Sequence, residues 1–135
     1  MRYDLPLIQE RCQEIGLPSR LQGESLEIEL KPGVMLRFLN ASRDEDCLVG
    51  FDGTQWHTHG DLVFAGGQGA YVEMSILDVV AGLKDGSILV CERWNDGQLK
   101  DRCLVHRDYN DEFKFMSEGE EIKVWRVAVE KPDHV

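Results

Sequence analysis

The sequence lacks the segments that would place a protein in or across a membrane. No stretch of its 135 residues reaches the 18 apolar residues that a membrane-spanning helix needs. The first residues, Met1 to Pro6, do not contain the apolar core of a secretory signal peptide. Only four prolines are present, and 42% of the residues are hydrophobic, so the composition is not that of a disordered chain. We therefore expect a folded protein of the cytoplasm without a membrane partner.

Cysteine is scarce, and its spacing lacks the common functional patterns. The four residues are Cys12, Cys47, Cys91 and Cys103, and no two of them form a Cys-x-x-Cys motif. This spacing favours neither a zinc ribbon nor a thioredoxin-like redox motif. Because no export signal leads the chain to an oxidising compartment, we expect four reduced thiols rather than two disulfides.

Motifs for nucleotide binding and acyl transfer are also missing. No serine lies in a Gly-x-Ser-x-Gly elbow. The glycine cluster from Gly66 to Gly69 is not followed by the Lys-Ser or Lys-Thr of a phosphate-binding loop. These absences favour a binding protein over an enzyme.

The charge has one predominant sign along the whole chain. Asp and Glu number 25 and Lys and Arg 15, which gives a net charge of −10. Residues 1–67 contain 11 acids and 6 bases and residues 68–135 contain 14 and 9, so each half carries −5. A uniformly acidic surface repels phosphate backbones and anionic lipids. We expect no nucleic-acid partner, and a basic protein is the partner that this charge favours.

Hydrophobic periodicity predicts an α+β fold in a single globular domain over residues 1–135. Apolar residues recur at helical spacing over residues 4–16, where Asp4 is a candidate N-cap, and over 75–85, where Ser75 takes that position. Alternating apolar and polar residues elsewhere predict about seven or eight strands in a mostly antiparallel, bent sheet. The strongest hairpin signal is Asn95-Asp96-Gly97.

One segment carries residues that bind metals. His57, His59 and Asp61 fall on one face of a strand predicted from Trp56 to Phe64, where they could offer two imidazoles and a carboxylate to one ion. His106 begins the later pattern His-x-x-x-Asn. This pair of motifs resembles the cupins, small β-rich metal proteins, and the resemblance implies one divalent metal held by these four residues. The same histidines also fit an ordinary solvent-facing strand edge.

Acidic loops with aromatic residues near them form a second candidate site. We predict that they make an acidic rim for a basic protein, in which Trp94 is either an anchor or a core residue. The residues of this predicted rim are Asp44, Glu45, Asp46, Trp94, Asp108, Tyr109, Asp111 and Glu112.

These features lead to three functional hypotheses. As a small, acidic, cytosolic α+β protein, the chain resembles in kind the immunity proteins that neutralise bacterial toxins. That resemblance implies a stoichiometric inhibitor of a basic, toxin-like partner, which needs surface complementarity and no cofactor. The second hypothesis is a cupin-like metal-binding protein or metalloenzyme that uses the His57, His59 and Asp61 cluster. The third is a ligand-binding or structural module.

Overall fold

The fold is seen in a computed structural model, which describes residues 2–41, 46–66, 69–108 and 118–128. Within these ranges the chain forms two helices and ten strands, so the α+β class is confirmed and the strand number exceeds the seven or eight predicted. In chain order they are α1 (Leu5–Ile15), β1 (Ser19–Gln22), β2 (Ser25–Lys31), β3 (Val34–Asn40), β4 (Cys47–Phe51), β5 (His57–His59), β6 (Leu62–Ala65), β7 (Tyr71–Met74), α2 (Ile76–Asp85), β8 (Ile88–Asn95), β9 (Gln98–His106) and β10 (Glu120–Trp125).

Both helices begin at the N-caps that the sequence predicts, and each ends at a glycine in the left-handed conformation, Gly16 or Gly86. The Asp4 carboxylate accepts a hydrogen bond from the Leu7 amide, and the Ser75 hydroxyl accepts one from the Asp78 amide, which satisfies amides that the first turn leaves without partners. Each residue advances the helix by about 100°, so apolar residues three and four positions apart lie on one side. The buried members of this side include Leu5, Ile8 and Cys12 in α1 and Ile76, Val79 and Leu83 in α2. Neither helix of the described residues has the length and apolar character to cross a membrane.

The first sheet follows the order of the chain. Its five strands pair antiparallel in the order β1-β2-β3-β4-β5, so each strand lies beside the next one along the chain. In β3, Val34, Leu36 and Phe38 are buried while the residues between them are partly exposed. Because side chains alternate across a strand, one face of this sheet supplies the core and the other meets solvent.

The remaining strands form two smaller sheets instead of continuing a single bent one. One has the order β10-β8-β9, and the other is the β6–β7 hairpin. The strand predicted from Trp56 to Phe64 is divided into β5 and β6, which belong to different sheets. Gly60 lies at the division with φ of 69°, a left-handed conformation in which a strand cannot continue. The chain therefore leaves the first sheet immediately after His59.

One hydrophobic cluster joins the three sheets and the two helices. Ile8 of α1, Leu36 of β3, Phe64 of β6, Leu83 of α2 and Val90 of β8 all belong to it, and each is buried. Residues from both halves of the sequence thus share a core. Their burial is the main source of stability, at roughly 25 cal/mol per Å² of apolar surface.

All four cysteines lie in described ranges, and none of them is part of a disulfide. Cys12 is fully buried on the inner side of α1, and burial raises the pKa of its thiol to about 12. Since a thiolate is the reactive form, this cysteine has the properties of a structural core residue.

Candidate functional site

Two histidines of β5 lie together on the surface. His57 and His59 are both exposed, and as residues i and i+2 of one strand they project from the same face. Their ring centroids are 5.4 Å apart at an interplanar angle of 74°. In the described part of the chain β5 pairs only with β4, so it is an edge strand of the first sheet. The predicted side-by-side arrangement of these two imidazoles is therefore present.

The hydrogen bonds of the two rings fix which nitrogen carries the proton. His57 Nδ1 is 3.0 Å from the carbonyl oxygen of Gln55, and His59 Nδ1 is 2.9 Å from Oδ2 of Asp46. A carbonyl and an ionised carboxylate only accept hydrogen bonds, so Nδ1 is the donor in both rings. In the neutral form of each imidazole, the lone pair then lies on Nε2.

The other two residues of the predicted metal set do not join this pair. Asp61 follows the bend at Gly60 and lies outside β5. His106 is on β9, where its Nδ1 accepts a hydrogen bond from the Asp108 amide at 3.2 Å. No group of three or more His, Cys, Asp or Glu side chains within the described ranges is arranged to hold a metal ion. The structure thus brings together two of the four residues.

Few residues of the predicted acidic rim fall in the described ranges. Asp44, Glu45, Tyr109, Asp111 and Glu112 lie outside them. Asp46 is described, and its two oxygens contact the His59 ring and the Cys47 amide.

Two further members of the predicted rim are described. Asp108 is exposed just after the end of β9. Trp94 is half-buried, and its indole nitrogen donates to Glu92 at 3.2 Å while Lys123 Nζ lies 4.6 Å from the centre of one of its rings. The indole of Trp94 therefore takes part in contacts within the protein.

The hydrogen bond from Trp94 is directed at a buried ion pair. Glu92 and Arg102 lie on neighbouring strands, and Oε2 of Glu92 is 2.8 Å from both Nε and Nη2 of Arg102. Their side chains are only 4% and 10% exposed. Burial by itself raises the pKa of Glu92, but the hydrogen bonds from Arg102 and Trp94 outweigh it, so the net pKa is lowered. This carboxylate stays ionised and is part of the structural framework.

A feature that the sequence reasoning missed is the outer face of the β6–β7 hairpin. Val63 lies opposite Glu73 and Ala65 opposite Tyr71, so these four side chains share one face. Val63 is 62% exposed and Tyr71 is 77% exposed. The signal in the sequence was an apolar residue, Val63, at an outward position between the buried Leu62 and Phe64.

A cavity of about 260 Å³ lies beside this hairpin face. Residues 63–65 of β6, residues 101–106 of β9 and the half-buried Trp56 are among the residues that line it. Successive side chains of β9 point to opposite faces, so a run of six lining residues means that the cavity lies along the edge of that strand. In the described ranges, β9 pairs only with β8, and this edge is therefore available for contact.

No protein-family model, curated protein or solved structure matches the chain. A function has to be inferred from its own residues.

Proposed function

We propose that this protein binds and inhibits a basic protein partner, in the manner of an immunity protein. The observation that carries the proposal is the pair of exposed apolar side chains, Val63 and Tyr71, on one face of the β6–β7 hairpin. A tyrosine supplies a large, rigid contact area at little entropic cost, which is why tyrosines are frequent at the centres of protein interfaces. The neighbouring cavity offers a recess for a side chain of the partner.

The charges around this face suit a basic partner. Glu73 is exposed directly opposite Val63, and the aromatic face of Tyr71 attracts a guanidinium or ammonium group. The two arginines that line the cavity are both in ion pairs, Arg93 with Glu120 at 2.9 Å and Arg102 with Glu92 at 2.8 Å. They therefore offer little repulsion to an incoming cation. The net charge of −10 acts at longer range, and the predicted rim, with Asp46 and Asp108 among its members, would add to it.

The proposal is tested by comparing two surface variants in affinity capture from an extract of the source cells. A double variant, Val63→Ser with Tyr71→Ser, removes the apolar anchor. The matched control is Val124→Ser on β10, which removes another exposed valine, 38% exposed, from a different strand. We expect wild type and the control to retain the same basic protein and the double variant to lose it.

The retained protein is then purified and mixed with each variant in solution. We expect wild type to form a one-to-one complex with it. The double variant should bind at least about tenfold more weakly, because it lacks a hot-spot contact. Expression of the partner alone should impair growth, and co-expression with wild type should restore it. Equal binding by the double variant, or no partner that wild type retains, would contradict the proposal.

A further inference from the structure

We propose that His57 and His59 form a binding site for a divalent transition-metal ion, which they ligate through their Nε2 atoms. This site is separate from the β6–β7 hairpin face and does not depend on the proposed inhibitor function. It contains neither Asp61 nor His106. Three features of the structure support this site: the separation of the rings, their orientation and the support of the strand that carries them.

The separation of the two rings already matches a shared ion. With metal–nitrogen distances of about 2.1 Å and tetrahedral angles, two imidazoles on one ion have ring centres roughly 5 Å apart. The observed distance between the centroids of His57 and His59 is 5.4 Å. The separation of the two rings therefore allows both imidazoles to ligate the same ion.

The orientation of each ring is set by a partner on the nitrogen that does not bind the metal. Histidines that ligate metals usually donate their other ring N–H to a carboxylate or a backbone carbonyl, which fixes the tautomer and makes the ligating nitrogen more basic. His59 donates to the Asp46 carboxylate, and His57 donates to the Gln55 carbonyl. Each ring thus has an acceptor on Nδ1 of the kind that orients metal-binding histidines, and its free lone pair lies on Nε2. By contrast, His106 Nδ1 accepts the Asp108 amide at 3.2 Å, and the Asp108 carboxylate, at 3.6 Å, is too far away to accept a hydrogen bond from it.

The residues around the pair hold it in position. The second oxygen of Asp46 accepts the Cys47 amide at 2.9 Å, which anchors the carboxylate that contacts His59. The bend that ends β5 is held at Gly60, whose carbonyl accepts a hydrogen bond of 2.7 Å from the Tyr3 hydroxyl. On β4, Gly50 lies opposite His57, and a Cβ atom at Gly50 would be 3.1 Å from Cβ of His57. Glycine at this position leaves the imidazole of His57 room on its own face.

The ligand type selects the ion. Neutral imidazoles suit Zn²⁺, Ni²⁺ and Cu²⁺, whereas Mg²⁺ and Ca²⁺ require oxygen ligands. Since no third His, Cys, Asp or Glu in the described ranges completes the set, water would take the remaining positions. Water ligands would leave the ion open to a donor group from another molecule.

The test is calorimetric titration of untagged protein with Ni²⁺ at pH 7.5, with Mg²⁺ as the control ion. We expect saturable binding of one Ni²⁺ and no binding of Mg²⁺. His57→Gln and His59→Gln should each abolish saturable binding. Asp46→Asn should weaken it by about tenfold, because the ring of His59 loses its orienting carboxylate. His106→Gln and His134→Gln, which change the two other histidines of the chain, should bind as wild type does.

A second measurement identifies the ligating residues. Paramagnetic Ni²⁺ should broaden the ring proton resonances of His57 and His59 in NMR spectra and leave those of His106 unchanged. Absence of saturable binding in wild type would overturn the proposal, and so would unchanged binding in either His57→Gln or His59→Gln. Far-ultraviolet circular dichroism of each variant should show that it is folded. None of these results depends on a protein partner.

Discussion

At the scale of single residues, the Glu92–Arg102 pair shows how a charge can be held inside this protein. Two ions have been removed from water, and their attraction offsets that cost only while both are present. The Trp94 indole satisfies the second oxygen of the carboxylate, so the network leaves neither oxygen of Glu92 without a donor. Exposed pairs such as Arg11–Glu14, at 44% and 53% exposure, incur no such cost and contribute little.

We predict that Arg102→Leu lowers the free energy of unfolding at pH 7 by about 3 to 5 kcal/mol, because Glu92 stays buried without its counter-ion. In wild type the pKa of Glu92 is lower in the folded protein than in the unfolded chain, where it is about 4.3. The pair therefore stabilises the fold at a pH above about 4.3, and this stabilisation is lost as the pH falls through the pKa of the folded protein. In the variant, burial raises that pKa, so the penalty grows as pH rises. Urea unfolding at pH 7, 5 and 4 should therefore show that the difference in unfolding free energy between wild type and Arg102→Leu becomes smaller as the pH falls.

Two companion variants separate the unpaired charge from other causes of this loss. Glu92→Met combined with Arg102→Leu removes both charges and should be more stable than Arg102→Leu alone. Arg11→Leu removes an arginine from an exposed pair and should change the unfolding free energy by less than about 1 kcal/mol. A double variant that is as unstable as Arg102→Leu would show that lost packing, and not the unpaired carboxylate, dominates.

At the scale of secondary-structure elements, the contact between α2 and the strand that follows it depends on a missing side chain. A Cβ atom on Gly82 would lie 2.5 Å from Cγ1 of Ile88 and 2.8 Å from Oγ of Ser87. Ile88 is fully buried, so it has little freedom to move aside. The helix can approach β8 this closely because position 82 is glycine.

We predict that α2 is more stable with glycine than with alanine at position 82, and more stable with alanine than with glycine at position 81. In a helix, alanine is favoured over glycine by up to about 1 kcal/mol. Overpacking a core costs about 1 to 3 kcal/mol. Gly82→Ala should therefore destabilise the protein by up to about 2 kcal/mol net, whereas Ala81→Gly on the exposed side should cost about 1 kcal/mol. Urea unfolding measures both, and a stabilising Gly82→Ala would contradict the close packing.

The elements also show where sequence reasoning succeeds. Both helices and the mostly antiparallel pairing of the strands could be predicted because caps, turns and hydrophobic periods are local signals. The division between β5 and β6 could not, since the alternation of apolar residues continues through Gly60 and does not reveal a change of sheet. The shared face of His57 and His59 follows from strand alternation. The orientation of His59 by Asp46 does not, because it depends on the register that pairs Leu48 with His59.

At the scale of the whole molecule, the even distribution of negative charge creates a field that extends beyond any single contact. The Debye length falls from roughly 14 Å to 4 Å between 50 and 500 mM salt, about threefold. Long-range attraction of a basic partner is screened over that range, whereas packed contacts are not. Charge should therefore govern how often the two proteins meet more than how long they stay together.

We predict that association with the proposed basic partner slows as salt rises from 50 to 500 mM, while the stability of the protein alone changes little. Neutralising Asp108, Asp111 and Glu112 together should lower the association rate constant more than it raises the dissociation rate constant. Stability should change by no more than about 0.5 kcal/mol. Stopped-flow mixing measures the rates.

The control for charge number is a variant that neutralises three exposed acids of the helices, Glu10, Glu14 and Asp78. If only the total charge matters, both triple variants should slow association equally. If the predicted acidic rim steers the partner, the helix variant should have the smaller effect. An association rate that does not respond to salt would contradict electrostatic steering altogether.

The chain order of the first sheet also determines when its parts can form. Each of its strands pairs with the next one along the chain, so residues 19–59 make their contacts by closing short loops. By contrast, β10 pairs with β8, which is separated from it in the sequence by β9, so Glu120 contacts Asn95 only after a longer loop has closed. Contacts between residues near in sequence form fast, and distant ones form late. We therefore expect the meander to appear during synthesis, and the chain to complete its last sheet only after β10 has left the ribosome.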